Sequence, residues 1–254
     1  MNENLIYMLS KIQYGRIPTS KFHAMADNLL DRLRKDYPFV FPKKNVQTFK
    51  FELKPSGMPE MSQEDDPVLT LGSAKKDWVV RITPEYVILQ TKNYGGFTNF
   101  HSRIEKVMTA TTSILEVSHF SFIGMRFINK FPHLDYLENE FELKRADFLQ
   151  PNLCGMDKGG CNMSARYEDV NKKWSVNVNS GVIINGPKIS PDLAELSSDL
   201  FNPLEISIGP VAHLDIDAFY SLQDEMHEYD FGVISGKLNE LRDAANAVFN
   251  EIKG

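Results

Sequence analysis

The stretch Phe120–Phe131, FSFIGMRFINKF, decides how the chain is read. Its run of aromatic and branched residues without proline predicts a strand with both faces covered. Yet Arg126 stands in its middle. Alternation puts Phe120, Phe122, Gly124, Arg126 and Ile128 on one face, and Ser121, Ile123, Met125, Phe127 and Asn129 on the other. A buried guanidinium without a partner is very costly, so Arg126 demands a carboxylate, carbonyls or an anionic ligand. One reading is a structural ion pair, or stacking on an aromatic ring, that fixes strand register. The other is an arginine that binds an anion or a partner at a sheet surface. Arg81 in WVVRIT and Arg166 in SARYED repeat the placing of an arginine inside a strand. Three such side chains could line one polar face or be unrelated surface positions.

Upstream, Leu5–Gly15 alternates as a first strand, and Phe22, Met25, Ala26, Leu29, Leu30 and Leu33 then take helical spacing. Thr19 or Ser20 is the expected cap, and Pro38 the stop. NVQTFKFELK predicts a strand, PSGMPEMSQEDDP a solvated acidic loop, and VLTLGS a short strand. DWVVRITPEYVILQTKNY predicts two strands about a tight turn. Thr98 is placed to cap a helix with an apolar stripe of Ile104, Val107, Met108, Thr111, Ile114 and Leu115.

Downstream, LENEFELKRADFLQP fits no one element, and LCGMDKGGCN reads as a glycine-rich loop. MSARYEDVNKKWSVNVNSGVIING predicts a hairpin across VNKK, and PKISPDLAELSSDLFNP a loop or short helical turn. LEISIGPVAHLDIDAFYS predicts a long strand broken at Gly209-Pro210. Ile234, Leu238, Leu241, Ala245, Val248, Phe249 and Ile252 then mark a long last helix.

These elements imply an α+β protein, an antiparallel sheet with about three main helices. The first half, residues 1–135, is compatible with a ferredoxin-like layout; residues 136–254 form a strand-rich half ending in the long helix, and the two could be one continuous domain. That helix lying over a curved sheet would suit a ligand-cupping grip arrangement.

The net charge of −6 lacks the basic footprint of non-specific nucleic-acid binding. Two cysteines do not make an extracellular disulfide framework, and Cys154 and Cys161 are spaced too widely for a paired zinc motif. No apolar run is long enough to span a bilayer, and the acidic start MNENLIYMLSKIQYGR argues against a signal peptide. A reducing cytoplasm is the expected compartment. His213, Asp215 and Asp217 in HLDID share one strand face and are the candidates for a divalent metal or acid–base chemistry. Their plainer reading is the wet face of a half-buried strand, with Leu214 and Ile216 inward. No catalytic or nucleotide-binding fingerprint occurs, and no cofactor is expected.

Trp78, Thr91, Tyr94, Phe97, Gly124, Arg126 and Asn129, in DWVVRITPEYVILQTKNYGGFTNF and FIGMRFIN, resemble a sporadically distributed family of uncharacterised bacterial proteins. The resemblance spans most of the chain and rests on a G-(L/M)-R-(Y/F)-(I/V)-N signature, here Gly124 to Asn129. It carries over no activity. The family's patchy distribution implies mobile or defence-linked gene neighbourhoods. The leading expectation is therefore a non-enzymatic interaction or regulatory protein, in the manner of an antiviral-defence or toxin–antitoxin subunit, with a partner protein encoded nearby. A small-anion or nucleotide binder using Arg81, Arg126, Asn129 and Arg166 is the first alternative. A metal-dependent hydrolase or nuclease is the second.

Overall fold

The structure is a computed structural model that describes residues 4–42, 44–53, 59–131, 152–153, 156–157, 160–169, 171, 173–186, 190–201, 206, 208–222 and 225–253. The chain runs β1 (Leu5–Tyr14), α1 (Thr19–Leu33), β2 (Phe39–Val40), β3 (Lys44–Leu53), β4 (Pro59–Gly72), β5 (Trp78–Ile82), β6 (Tyr86–Thr91), α2 (Phe97–Leu115) and β7 (His119–Phe131). It continues through β8 (Asn152–Leu153), β9 (Met156–Asp157), β10 (Cys161–Asp169), β11 (Trp174–Ile184), a 3-10 turn (Pro191–Leu193), α3 (Ala194–Ser197), β12 (Pro210–Ser221), β13 (His227–Glu228) and α4 (Phe231–Lys253). This is the expected α+β architecture. Three long helices, α1, α2 and α4, accompany the short α3.

The main sheet is antiparallel, in the order β10-β11-β12-β7-β1-β6-β5-β4-β2. β7, the strand of the opening stretch, is central: β1 flanks it on one side and β12 on the other. The sheet thus crosses from the first half into the second without interruption. The ferredoxin-like expectation does not emerge as a separate unit, because β4 and β12 carry the sheet on at both ends of β7-β1-β6-β5.

The three long helices cover one face. Phe22, Leu29 and Leu33 of α1, Phe100, Ile104 and Val107 of α2 and Ile234, Leu238 and Leu241 of α4 are buried against Met8, Val80, Leu89, Met125, Ile216 and their neighbours. The entries of α1 and α2 depart from expectation. α1 begins after Pro18 and α2 after Gly96, neither with a side-chain cap, so Thr19, Ser20 and Thr98 lie inside the first turns. α1 ends at Leu33, earlier than Pro38 implied.

Two further corrections follow from pairing. The acidic stretch expected as a solvated loop is largely strand: Pro59–Asp66 belongs to β4 and pairs with β3, and VLTLG continues the same strand, where Leu69–Gly72 pair with β5. Proline is tolerated at a strand's first residue, as at Pro59. Asp66 is 7% exposed, because Arg16 donates to both its oxygens at 3.1 and 2.6 Å. A pairing partner and a guanidinium outweigh local loop chemistry. In β7, the register with β1 shifts so that Gln13 faces Phe122 while Tyr14 faces Phe120. This bulge at Ser121 turns Phe120 into the helix-side core, against strict alternation. From Phe122 to Ile128 the alternation holds. The stretch LENEFELKRADFLQ lies outside the described residues, as does Cys154.

Candidate functional site

The sheet face away from the helices carries the chemistry. Residues directly opposite one another on neighbouring strands project from the same face. Asn177 on β11 is opposite Asp217 on β12, and Asp217 opposite Arg126 on β7. One step along, Asn179 is opposite Asp215 and Asp215 opposite Ile128. His213 takes the next same-face position, opposite Lys130. Leu214 and Ile216 turn into the helix-side core, as the HLDID alternation required.

Arg126 answers the question its sequence posed. Its Nε and Nη2 donate to the two oxygens of Asp215 at 2.8 and 2.7 Å, and Nη1 and Nη2 to Asp192 at 2.5 and 3.3 Å. The Ser190 hydroxyl completes Asp215 at 2.7 Å. Arg126 is 9% and Asp215 1% exposed, so this is a buried pair joining β7 to β12. Burial opposes the guanidinium's charge, but the hydrogen bonds to the two aspartates outweigh it and raise its pKa.

Arg81 repeats the device on β5. Nε and Nη2 donate to Asp199 at 2.8 and 2.5 Å, and Nη1 to Glu195 at 2.8 Å. Both acids come from the strap of residues 190–201, which lies across this face. Leu193 and Leu200 of the strap are buried against Tyr7, Leu9, Val79, Ile88 and Ile128. Burying each contributes about 1.5–3 kcal/mol. Gln90 donates to the Leu196 carbonyl at 3.1 Å and accepts from the Tyr7 hydroxyl at 2.5 Å. At the strap's end, the Phe201 ring lies where a side chain on Gly72 would be, 2.4 Å from an added Cβ. A side chain at position 72 would have to displace that ring.

Between strap and sheet is a cavity of about 680 Å³ that Asn177, Asn179, His213, Asp215, Asp217 and Arg126 help to line. Its charged residues are Arg126 and Lys130 against Asp192, Asp215 and Asp217. Asp217 has Asn177 Nδ2 as its hydrogen-bond donor among the described residues, at 3.5 Å. Burial pushes this carboxyl up to about 6; Arg126 opposes that shift and Asp215 adds to it. His213 is 8% exposed, and its Nε2 meets Asn162 Oδ1 at 3.2 Å. Among the described residues its buried Nδ1 has no hydrogen-bond partner of normal geometry, although the Gly181 backbone lies close enough to favour the charged ring. Burial, reinforced by Lys130, nevertheless pushes this imidazole down to about 4.

The structure therefore sorts the candidates singled out from sequence. Arg126, His213, Asp215 and Asp217 meet at the cavity. Arg81 shares their face but sits in its own ion-pair cluster under α3. Arg166 also shares the face, on the edge strand β10, where it pairs with Glu168 at 2.7 Å and stacks on Phe219. The three arginines do not converge on one point. Asn129 projects from the opposite face and donates to the Leu214 carbonyl at 3.3 Å. Asp215 is committed to Arg126, and among the described residues no group of three or more His, Cys, Asp or Glu is arranged to hold a metal ion. Sequence reasoning missed Asp192, Glu195, Asp199, Asn177 and Asn179. The first three recur at spacings of three and four, as do Leu193, Leu196 and Leu200, which is the mark of a helical segment with two working stripes.

No helix among the described residues is long and apolar enough to cross a membrane. No protein-family model matches the sequence, and no curated protein matches it.

Proposed function

We propose that the protein binds a small, neutral, polyhydroxylated molecule, of the class of sugars and nucleosides, in the cavity under the strap. The observation that supports this most is the cavity's polar lining: amides and carboxylates stand side by side on adjacent strands, with charges that nearly cancel. Asn177, Asn179 and Asp217 retain hydrogen-bonding capacity that hydroxyl groups satisfy in both directions. Residues 213 and 217 are four apart on a strand, so the polar row runs roughly 13 Å. A cavity of about 680 Å³ falls in the usual range for small-molecule sites. The anion-binding alternative has less support, since Arg81 and Arg126 are each already matched by two acids.

Ligand-observed NMR tests this with free monosaccharides, disaccharides and nucleosides, beside inorganic phosphate and a nucleoside monophosphate. A neutral member should bind saturably, and Asn177→Leu and Asp217→Leu should each abolish the signal. Binding of the anions alone, or binding that ignores both substitutions, refutes the proposal.

A second reading is favoured by β10. It closes one end of the main sheet and exposes Met163 and Tyr167. Such an edge suits addition of a partner's strand, as an interaction subunit encoded beside a defence or toxin–antitoxin partner would require. Co-purification from the native host tests it: a stoichiometric protein partner lost with Tyr167→Lys supports it, and a lone chain refutes it.

A further inference from the structure

A second cavity, of about 460 Å³, opens on the other face, between α4, the β6–α2 connection and the sheet. Its character is opposite to the first. Tyr94, Phe97, Phe127 and Phe249 contribute aromatic surface. Its charged residues are Lys92 and Arg242 against Asp243, so the balance is positive. The Arg242 guanidinium lies over the Phe97 ring, its central carbon 4.3 Å from the ring centre. Its Nε and Nη2 donate to one oxygen of Asp243 at 3.0 and 2.6 Å, while Nη1 has no hydrogen-bond partner among the described residues. The Tyr94 hydroxyl is buried and also lacks a hydrogen-bond partner among the described residues. Burial pushes this phenol up to about 12, with the nearby Arg242 opposing, so it stays an O–H donor at neutral pH. A buried donor without an acceptor is costly, and a bound acceptor group would remove that cost.

We propose that this cavity is a binding site for a planar aromatic molecule carrying an acidic group. The rings of Phe97 and its neighbours stack on or edge against the ligand's plane. Arg242 Nη1 and the Tyr94 O–H donate to its anionic oxygens, a charge-assisted contact of the stronger kind. Asn129, at the end of the signature stretch, lines the same space. The α4–sheet cleft that a grip arrangement implied is thus given a specific chemistry.

Aromatic carboxylates and nucleoside monophosphates share that chemistry, so the test separates them. The fluorescent aromatic sulfonate 8-anilinonaphthalene-1-sulfonate is titrated into the full chain and then displaced by salicylate, indole-3-acetate or adenosine monophosphate. Saturable binding at one site is expected, weakened about tenfold or more by Arg242→Gln. Asn246→Trp is the second variant: Asn246 is exposed on α4 and lines the cavity, so tryptophan blocks the space without entering the core. It should block binding as well, while Asp217→Leu leaves it unchanged. Displacement by the carboxylates or by the nucleotide identifies which source the site prefers. Absence of probe binding, or equal affinity in the parent, Arg242→Gln and Asn246→Trp, overturns the proposal.

Discussion

Replacing Arg126 with methionine keeps much of the side chain's length and removes its charge. Asp215, 1% exposed, is then left with Ser190 as its hydrogen-bond donor, while Asp192, with a side chain 61% exposed, can turn to water. Breaking a buried pair on one side costs about 3–5 kcal/mol, a large share of the ~5–15 kcal/mol that stabilises an ordinary domain. In urea this is a fall in midpoint of about 1–2 M. Adding Asp215→Leu should recover most of the loss, because no lone charge remains. The assay is equilibrium urea unfolding of the parent, the single and the double variant. A single variant within about 1 kcal/mol of the parent, or a double variant no more stable than the single, refutes the buried-pair account.

Three further outcomes are expected. His213 and Asp217 pull stability in opposite directions. The depressed imidazole makes stability rise with pH between about 4 and 6.5, and the raised carboxyl makes it fall between about 3.8 and 6. In the parent these slopes offset, so thermal melts across pH should show a rising profile in Asp217→Asn and a falling one in His213→Gln. Gly181→Ala puts a Cβ 2.0 Å from the Cys161 carbonyl oxygen, so amide hydrogen exchange should accelerate in β10 while β7 stays protected. Gly72→Val displaces the Phe201 ring and should increase protease sensitivity within residues 190–201, with little change in the helix-side core.

Much of this fold was legible because its strongest signals are local. Strand alternation in Phe122–Ile128 and in HLDID and helical spacing in α1, α2 and α4 each depend on neighbours in sequence. The hairpins β5–β6 and β10–β11 follow from short turns. What stayed hidden depends on distance. The demand for an acid beside Arg126 could be read, but Asp192 lies 66 residues away and Asp215 89. Asp66 reads as part of a loop until Arg16, 50 residues earlier, is brought against it. The bulge that turns Phe120 inward exists only in the pairing of β7 with β1. The polar cavity required knowing that β11, β12 and β7 are adjacent, which no spacing within one strand reveals. The aromatic cavity required a helix from the far end of the chain.

The strap has a mechanical consequence. Its acids grip arginines on β5 and β7, and β6 and β1 lie between those strands. It works as a cross-tie over four strands, a width of roughly 14 Å, and resists shear that would slide one strand along another. Asp199, which holds the β5 end, is shielded from water, whereas Asp192 at the β7 end and Glu195 are largely exposed, so dissolved salt screens the β7 anchor far more than the Asp199 pair. Raising ionic strength therefore loosens the β7 end first and leaves the Arg81–Asp199 end in place. What releases that buried end is a competitor that arrives with hydrogen bonds of its own.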